Sequence, residues 1–151
     1  SSTRERKTVQ PSRLDKALMA AARAHRRRAA AALAPLGLHP GQELLLSILA
    51  KRGSATQVQL ARILGVEPPT IAKMVGRLEA AGFAERAADP RDARAKLVSL
   101  TAQGADAAAQ VGTVWAELGA LTNSALTADE AEQLTRLLRR ITERLERGTA
   151  D

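Results

Sequence analysis

Apolar residues recur along this chain at helical spacing until two short segments switch the period. Leu14, Leu18, Ala22, His25, Ala29 and Leu33 fall on one stripe, and Ser12 is placed to cap the helix they predict over Arg13–Leu33. The run 36–41, LGLHPG, breaks that helix. A second is predicted over Gln42–Ala50 around Leu44, Leu45, Ile48 and Leu49, ending at Gly53 and Ser54. Thr56-Gln57-Val58-Gln59 has capping-box form and opens a short helix to Leu64, with Leu60, Ile63 and Leu64 turned inward. Gly65 then occupies the position where a left-handed residue lets the chain turn sharply.

Pro68 and Pro69 are compatible only with a first helical turn, where the missing N–H groups have no partner to lose. The helix they start runs to about Ala81 and stops at Gly82. Ile71, Val75 and Leu78 form its inward face, and Thr70, Lys73 and Arg77 its outward face. Phe83–Ala87 and Lys96–Leu100 read as strands around a charged loop, Asp89-Pro90-Arg91-Asp92-Ala93-Arg94. Thr101 caps a further helix over Ala102–Ser124 bearing Val111, Val114, Trp115, Leu118 and Leu121. Thr127 to Glu130 is a second capping box, and Leu134, Leu138, Ile141 and Leu145, with Leu137, give the last helix a heptad-like seam. That seam either packs within its own subunit or meets a second copy. The second copy is favoured, because the long first helix and the last two present more apolar surface than one small lobe covers.

Two short helices joined through a glycine, then a basic hairpin, is the layout of a winged helix-turn-helix, with one element for the major groove and one for the minor groove or backbone. Lys and Arg donate to guanine acceptors, and Thr contacts a base or the thymine methyl. Arginine on an exposed wing suits the narrow, strongly negative minor groove of A/T-rich DNA. The helix pair alone is a weak signal, and the wing taken alone reads better as a solvated hairpin tip with self-compensating charges. Asp92, between two arginines, is expected to orient Arg94 rather than to face phosphates. The fold class is thus mainly α with a small β-hairpin wing. Residues 1–11 form a flexible arm, 12–36 and 102–148 a helical dimerisation region, and 37–101 the DNA-binding domain.

Composition narrows the class. Aromatic residues make up only 1% of the chain, so the core is built from Leu, Ile, Val and Ala, as helical cores usually are. There is no cysteine, which excludes disulfides, thiolate metal sites and thiol-based sensing by this chain. No apolar run approaches the roughly 20 residues that span a bilayer, and the N-terminus is not signal-like, so no membrane partner and a cytoplasmic location are expected. The net charge of +7 is uneven: residues 1–34 carry nine basic and two acidic side chains, whereas residues 101–151 carry five and eight. The basic part suits a polyanion through counterion release. Arg26-Arg27-Arg28 reads either as a solvated face or as a phosphate-facing or dimer-contacting patch. No nucleophile–base–acid constellation, glycine-rich phosphate loop or metal-ligand spacing is present, so neither an enzyme nor a cofactor is expected.

In detail, Leu60-Ala61 with Gly65, residues 70–83 (TIAKMVGRLEAAGF), Glu85-Arg86, the loop 89–94 (DPRDAR) and residues 97–104 (LVSLTAQG) resemble the MarR family of bacterial transcription regulators over roughly residues 12–147. The resemblance implies a triangular homodimer joined through N- and C-terminal helices, a palindromic double-stranded DNA operator, repression, and release by a small anionic or phenolic effector. It implies recognition-helix contacts at Thr70, Lys73 and Arg77 and a minor-groove arginine at Arg94. The DNA-contacting set is completed by Thr56, Gln57, Pro69 and Arg91. The dimer is assigned to Leu14, Leu18, Leu134, Leu138, Ile141 and Leu145, and an effector crevice to His25, His39, Leu45, Ile48 and Trp115, each of which also reads as simply structural. Lack of cysteine separates the chain from the family's peroxide-sensing branch, and only two histidines, with no local His/Glu cluster, speak against a zinc-sensing one. The competing reading is a winged-helix module for protein interaction or nonspecific chromosome binding, which would need no cations on the second helix.

Overall fold

The computed structural model describes residues 8–39 and 41–148; most of the arm expected over 1–11 lies outside them. The elements follow as α1 (Arg13–Leu33), a 3-10 turn (Ala34–Leu36), α2 (Gln42–Arg52), β1 (Ser54–Thr56), α3 (Gln57–Leu64) and α4 (Pro68–Ala80). After these come β2 (Ala84–Asp89), β3 (Asp92–Leu100), α5 (Ala102–Ser124) and α6 (Ala128–Arg147).

Side-chain caps fix most helix starts. Ser12 Oγ accepts from the Asp15 amide, and Thr56 and Thr127 each form a full capping box with Gln59 and Glu130. Gly65 closes α3 in the left-handed region (φ 64°, ψ 35°), its amide bonding back to the Ala61 and Arg62 carbonyls. A side chain there would be strained, and without that turn α4 would not cross α3. Thr101 joins the two halves of the fold. Its hydroxyl donates to the Gly82 carbonyl at 2.6 Å and accepts from the Gly104 amide at 3.0 Å, pinning the start of α5 to the end of α4.

The sheet has three antiparallel strands in the order β1-β3-β2, one more than the expected hairpin. β1 pairs Ser54 with Ser99 and Thr56 with Leu97. Three residues are too few to display alternation, so only the long-range pairing makes them a strand. The hairpin strands are longer than expected, and the six-residue loop contracts to a tight Pro90-Arg91 turn with a register shift at Ala88/Asp89.

The core is a cluster from α2, α3, α4, the sheet and the first half of α5, with Leu45, Leu46, Leu49, Leu60, Ile71, Leu78, Val98 and Val111 almost fully enclosed. Burying each such side chain contributes roughly 1.5–3 kcal/mol relative to exposure. The structure sets the phase of α2 and corrects one inward assignment, that of Ile63. Leu44 is 45% exposed while Leu46 is buried, because three consecutive leucines leave the phase of α2 ambiguous. Ile63 is 47% exposed, since Leu60 and Ala61 take the inward side of the two-turn α3. Of the α1 stripe only Leu33 is buried. α6 buries none of its residues and makes no extended contact with the other elements among the described residues.

Candidate nucleic-acid interface

α4 is two-sided. Ile71, Val75 and Leu78 are enclosed in the core, and Pro69, Thr70, Lys73 and Arg77 are on the outside. Lys73 and Arg77 stand four residues apart, one turn above the other, with Thr70 a turn below Lys73. The helix therefore offers its N-terminal half and two cations to whatever lies outside.

The start of α3 is more occupied than the sequence suggests. Thr56 Oγ1 accepts from the Gln59 amide at 3.2 Å, and Gln57 Oε1 accepts from Arg86 Nη1 at 3.4 Å. Arg86 enters the sequence reading only through the family resemblance, with no role of its own. It stands on β2, half-buried, with Nε 2.7 Å from Glu79 Oε1 of α4. One side chain thus joins wing, α3 and α4. No periodicity marks it, because the contact depends on how the strand crosses the helices.

The wing carries Arg91 and Arg94, both exposed. Two aspartates shape its turn: Asp89 Oδ1 accepts from the Arg91 amide at 2.9 Å and Asp92 Oδ1 from the Arg94 amide at 3.0 Å. The contact between Asp92 and Arg94 is thus to the Arg94 backbone amide. Arg91 and Arg94 are left exposed, and one oxygen of each aspartate is engaged locally.

The six residues expected at the dimer contact come together. Leu14 and Leu18 of α1 and Leu134, Leu138, Ile141 and Leu145 of α6 line one groove of about 1200 Å³, joined by Leu137, His25 and Arg26. Leu14 is 63% and Leu145 65% exposed. The effector candidates do not converge in the same way. His25 and Trp115 stack with ring centroids 6.3 Å apart at 24°. Leu45 is enclosed in the core, Ile48 and Trp115 pack against it, and His39 is exposed at the α2 entrance, its amide donating to Gln42 Oε1. Among the described residues no three His, Cys, Asp or Glu side chains are grouped to hold a metal ion, and no helix is long and apolar enough to cross a membrane.

The MarR family model matches residues 38–96. The multiple antibiotic resistance protein MarR of Escherichia coli strain K12 is 33% identical over 110 residues, covering 72% of this chain and 76% of that protein. Its counterpart from Salmonella typhimurium strain LT2 is 34% identical over the same shares. Among solved structures, a cysteine-to-serine variant of E. coli MarR complexed with operator DNA is similar at TM-score 0.76 and 29% identity, over 85% of this chain and 92% of that one. A probable transcriptional regulator from Pseudomonas aeruginosa is similar at TM-score 0.71 and 33% identity, over 85% and 99%. With the helix pair, the wing and a third of its aligned residues shared with MarR over three quarters of that protein's length, the chain belongs to the MarR family of transcription regulators.

Proposed function

We propose that this protein is a dimeric, sequence-specific repressor that holds a palindromic operator and leaves it when a small anionic or phenolic ligand binds. The observation that carries the DNA reading is the placement of Thr70, Lys73 and Arg77 on the outer face of a helix directly behind the Gly65 turn, beside a wing that projects Arg91 and Arg94. Base edges are read from α4, with Pro69 in its first turn; Thr56 and Gln57 stand where α3 begins, Arg94 of the wing enters the minor groove, and Arg91 stands at the wing turn beside it. A solved relative carrying operator DNA supports the assignment. Binding of this kind needs no catalytic group, and the protein is a regulator rather than an enzyme.

The dimer reading rests on α6. A helix with five leucines and isoleucines on one side and none of them fully buried in its own chain lacks much of the hydrophobic term that keeps such helices folded, unless a second copy supplies it. Residues 12–36 and 102–148 then form the dimer body and 37–101 the DNA-binding lobe. Two-fold symmetry would set the recognition helices about 34–36 Å apart, one turn of DNA.

Selection of binding sites from a pool of randomised duplexes tests the reading. The expected product is an inverted repeat with half-sites one turn apart; enrichment of single half-sites or of no sequence would contradict it.

Effector release is supported by the cations Arg26 to Arg28 that follow His25 in α1, which favour an anionic or phenolic ligand, and by the contact of His25 with Trp115 of α5. The ligand lowers operator affinity only by its preference for the DNA-incompetent state. Titration with salicylate, following Trp115 fluorescence and operator release together, tests this. Fluorescence change without release, or release by cations alone, would sink it.

A further inference from the structure

A second cleft, of about 370 Å³, opens between the wing turn and the start of the helix pair. Its polar walls are Arg52 at the end of α2, Ser54 and Thr56 of β1, Gln59 of α3, and Asp89 and Arg91 of the wing turn. The walls are rich in donors. The Gln59 amide donates to Thr56 Oγ1 and the Thr56 amide to Gln59 Oε1, so these side chains still have the Thr56 O–H and the Gln59 NH2 to give. Ser54 adds a hydroxyl, and the two arginines add forked, permanently charged donors. Asp89 is the one carboxylate, and its Oδ1 is held by the Arg91 amide at 2.9 Å. It offsets one arginine and leaves the lining net positive.

We propose that this cleft is a phosphate seat in which Arg52 and Arg91 grip one phosphodiester of the operator backbone. The inference rests on the DNA-binding reading above. A duplex that meets α4 with its major groove and the wing with its minor groove must run the intervening sugar–phosphate strand between those two elements. The cleft lies beside that path, between the wing turn and the residues that open α3, with no residue of α4 in its walls. Arg52 belongs to neither the recognition helix nor the wing, so it adds a contact that fixes register and carries no sequence information. A donor-rich, net cationic cleft of this size also suits a free phosphate ester, and the experiment separates the two sources.

The test uses the full chain and its Arg52→Gln variant, with duplex affinity measured over a salt series and a panel of operator sequences. Arg52 is exposed, so the variant is expected to melt with the wild type. It should bind every duplex about five- to tenfold more weakly, with the ranking of sequences unchanged and the salt slope flatter by about one. Unchanged affinity and slope would overturn the phosphate seat while leaving the DNA-binding reading intact. Wild-type protein that binds no duplex would sink both. A calorimetric titration with inorganic phosphate is the second arm. Saturable phosphate binding that Arg52→Gln abolishes, with duplex binding unaffected, would overturn the assignment to DNA and make the cleft a small-anion site.

Discussion

Arg86 Nε lies 2.7 Å from Glu79 Oε1, tying the first wing strand to the helix that carries Lys73 and Arg77. The Nε atom is enclosed, and its N–H is not aimed for a hydrogen bond, so the contact is an ion pair in character. Together with the Arg86–Gln57 bond it links the wing to both helices of the pair. Part-exposed pairs of this kind contribute only about 0–1 kcal/mol to folding. Arg86→Ala is therefore expected to lower the melting temperature by only a few degrees, yet to weaken operator binding, because the wing loses its fixed angle to α4. Calorimetry beside a binding titration checks this; a large loss of stability with normal affinity would reverse the assignment.

A Cβ on Gly104 would collide with the Phe83 carbonyl, so the close approach of α5 to the α4–β2 turn requires glycine. Gly104→Ala should cost about 1–3 kcal/mol through overpacking. At Gly112, on the same helix, an added Cβ would meet nothing within 4 Å. Gly112→Ala should instead add about 0.5–1 kcal/mol by restricting the unfolded chain. Denaturant unfolding of both variants decides, and equal effects would contradict the packing explanation.

Leu138→Glu places a charge in the groove between α1 and α6. The expected result is a monomer in sedimentation at micromolar concentration, accompanied by loss of tight DNA binding, because dimer stability and folding of α6 are linked. A variant that stays dimeric would show that the partner copy packs elsewhere.

The Thr127 amide and hydroxyl, bonded to Glu130, hold its carboxyl below the usual carboxylate range. A depressed folded value means that this capping contribution is present above the unfolded pKa of about 4.5 and is lost as pH falls through the folded value. The first turn of α6 is expected to fray on acidification. Glu130→Gln keeps the acceptor and should remove that acid dependence, read by circular dichroism; an unaltered acid transition would rule out the capping box as its source.

Elements marked by their own residues were legible in the sequence: α1 and α3 from their caps and their spacing, α4 from its proline pair and its division into Ile71-Val75-Leu78 and Thr70-Lys73-Arg77. What long-range packing decides was not. β1 exists because Ser99 and Leu97 pair with it. The phase of α2 is chosen by the core around Leu46, where local pattern allowed Leu44 equally. Within the candidate interface the outward cations could be named from the sequence. Arg86, and the cleft reached by Arg52, required the crossing of strand and helices to be seen.

Reading of a specific operator by a dimer is the proposal on which the others depend. It is decided by competition between the selected inverted repeat and a scrambled duplex of equal length, at physiological salt and with stoichiometry recorded. Two protomers per duplex and a preference of about 10³ or more for the repeat are expected. Arg94→Ala should weaken binding to the repeat by roughly 1–3 kcal/mol with the dimer intact. A preference below about tenfold, or one protomer per duplex, would contradict the proposal.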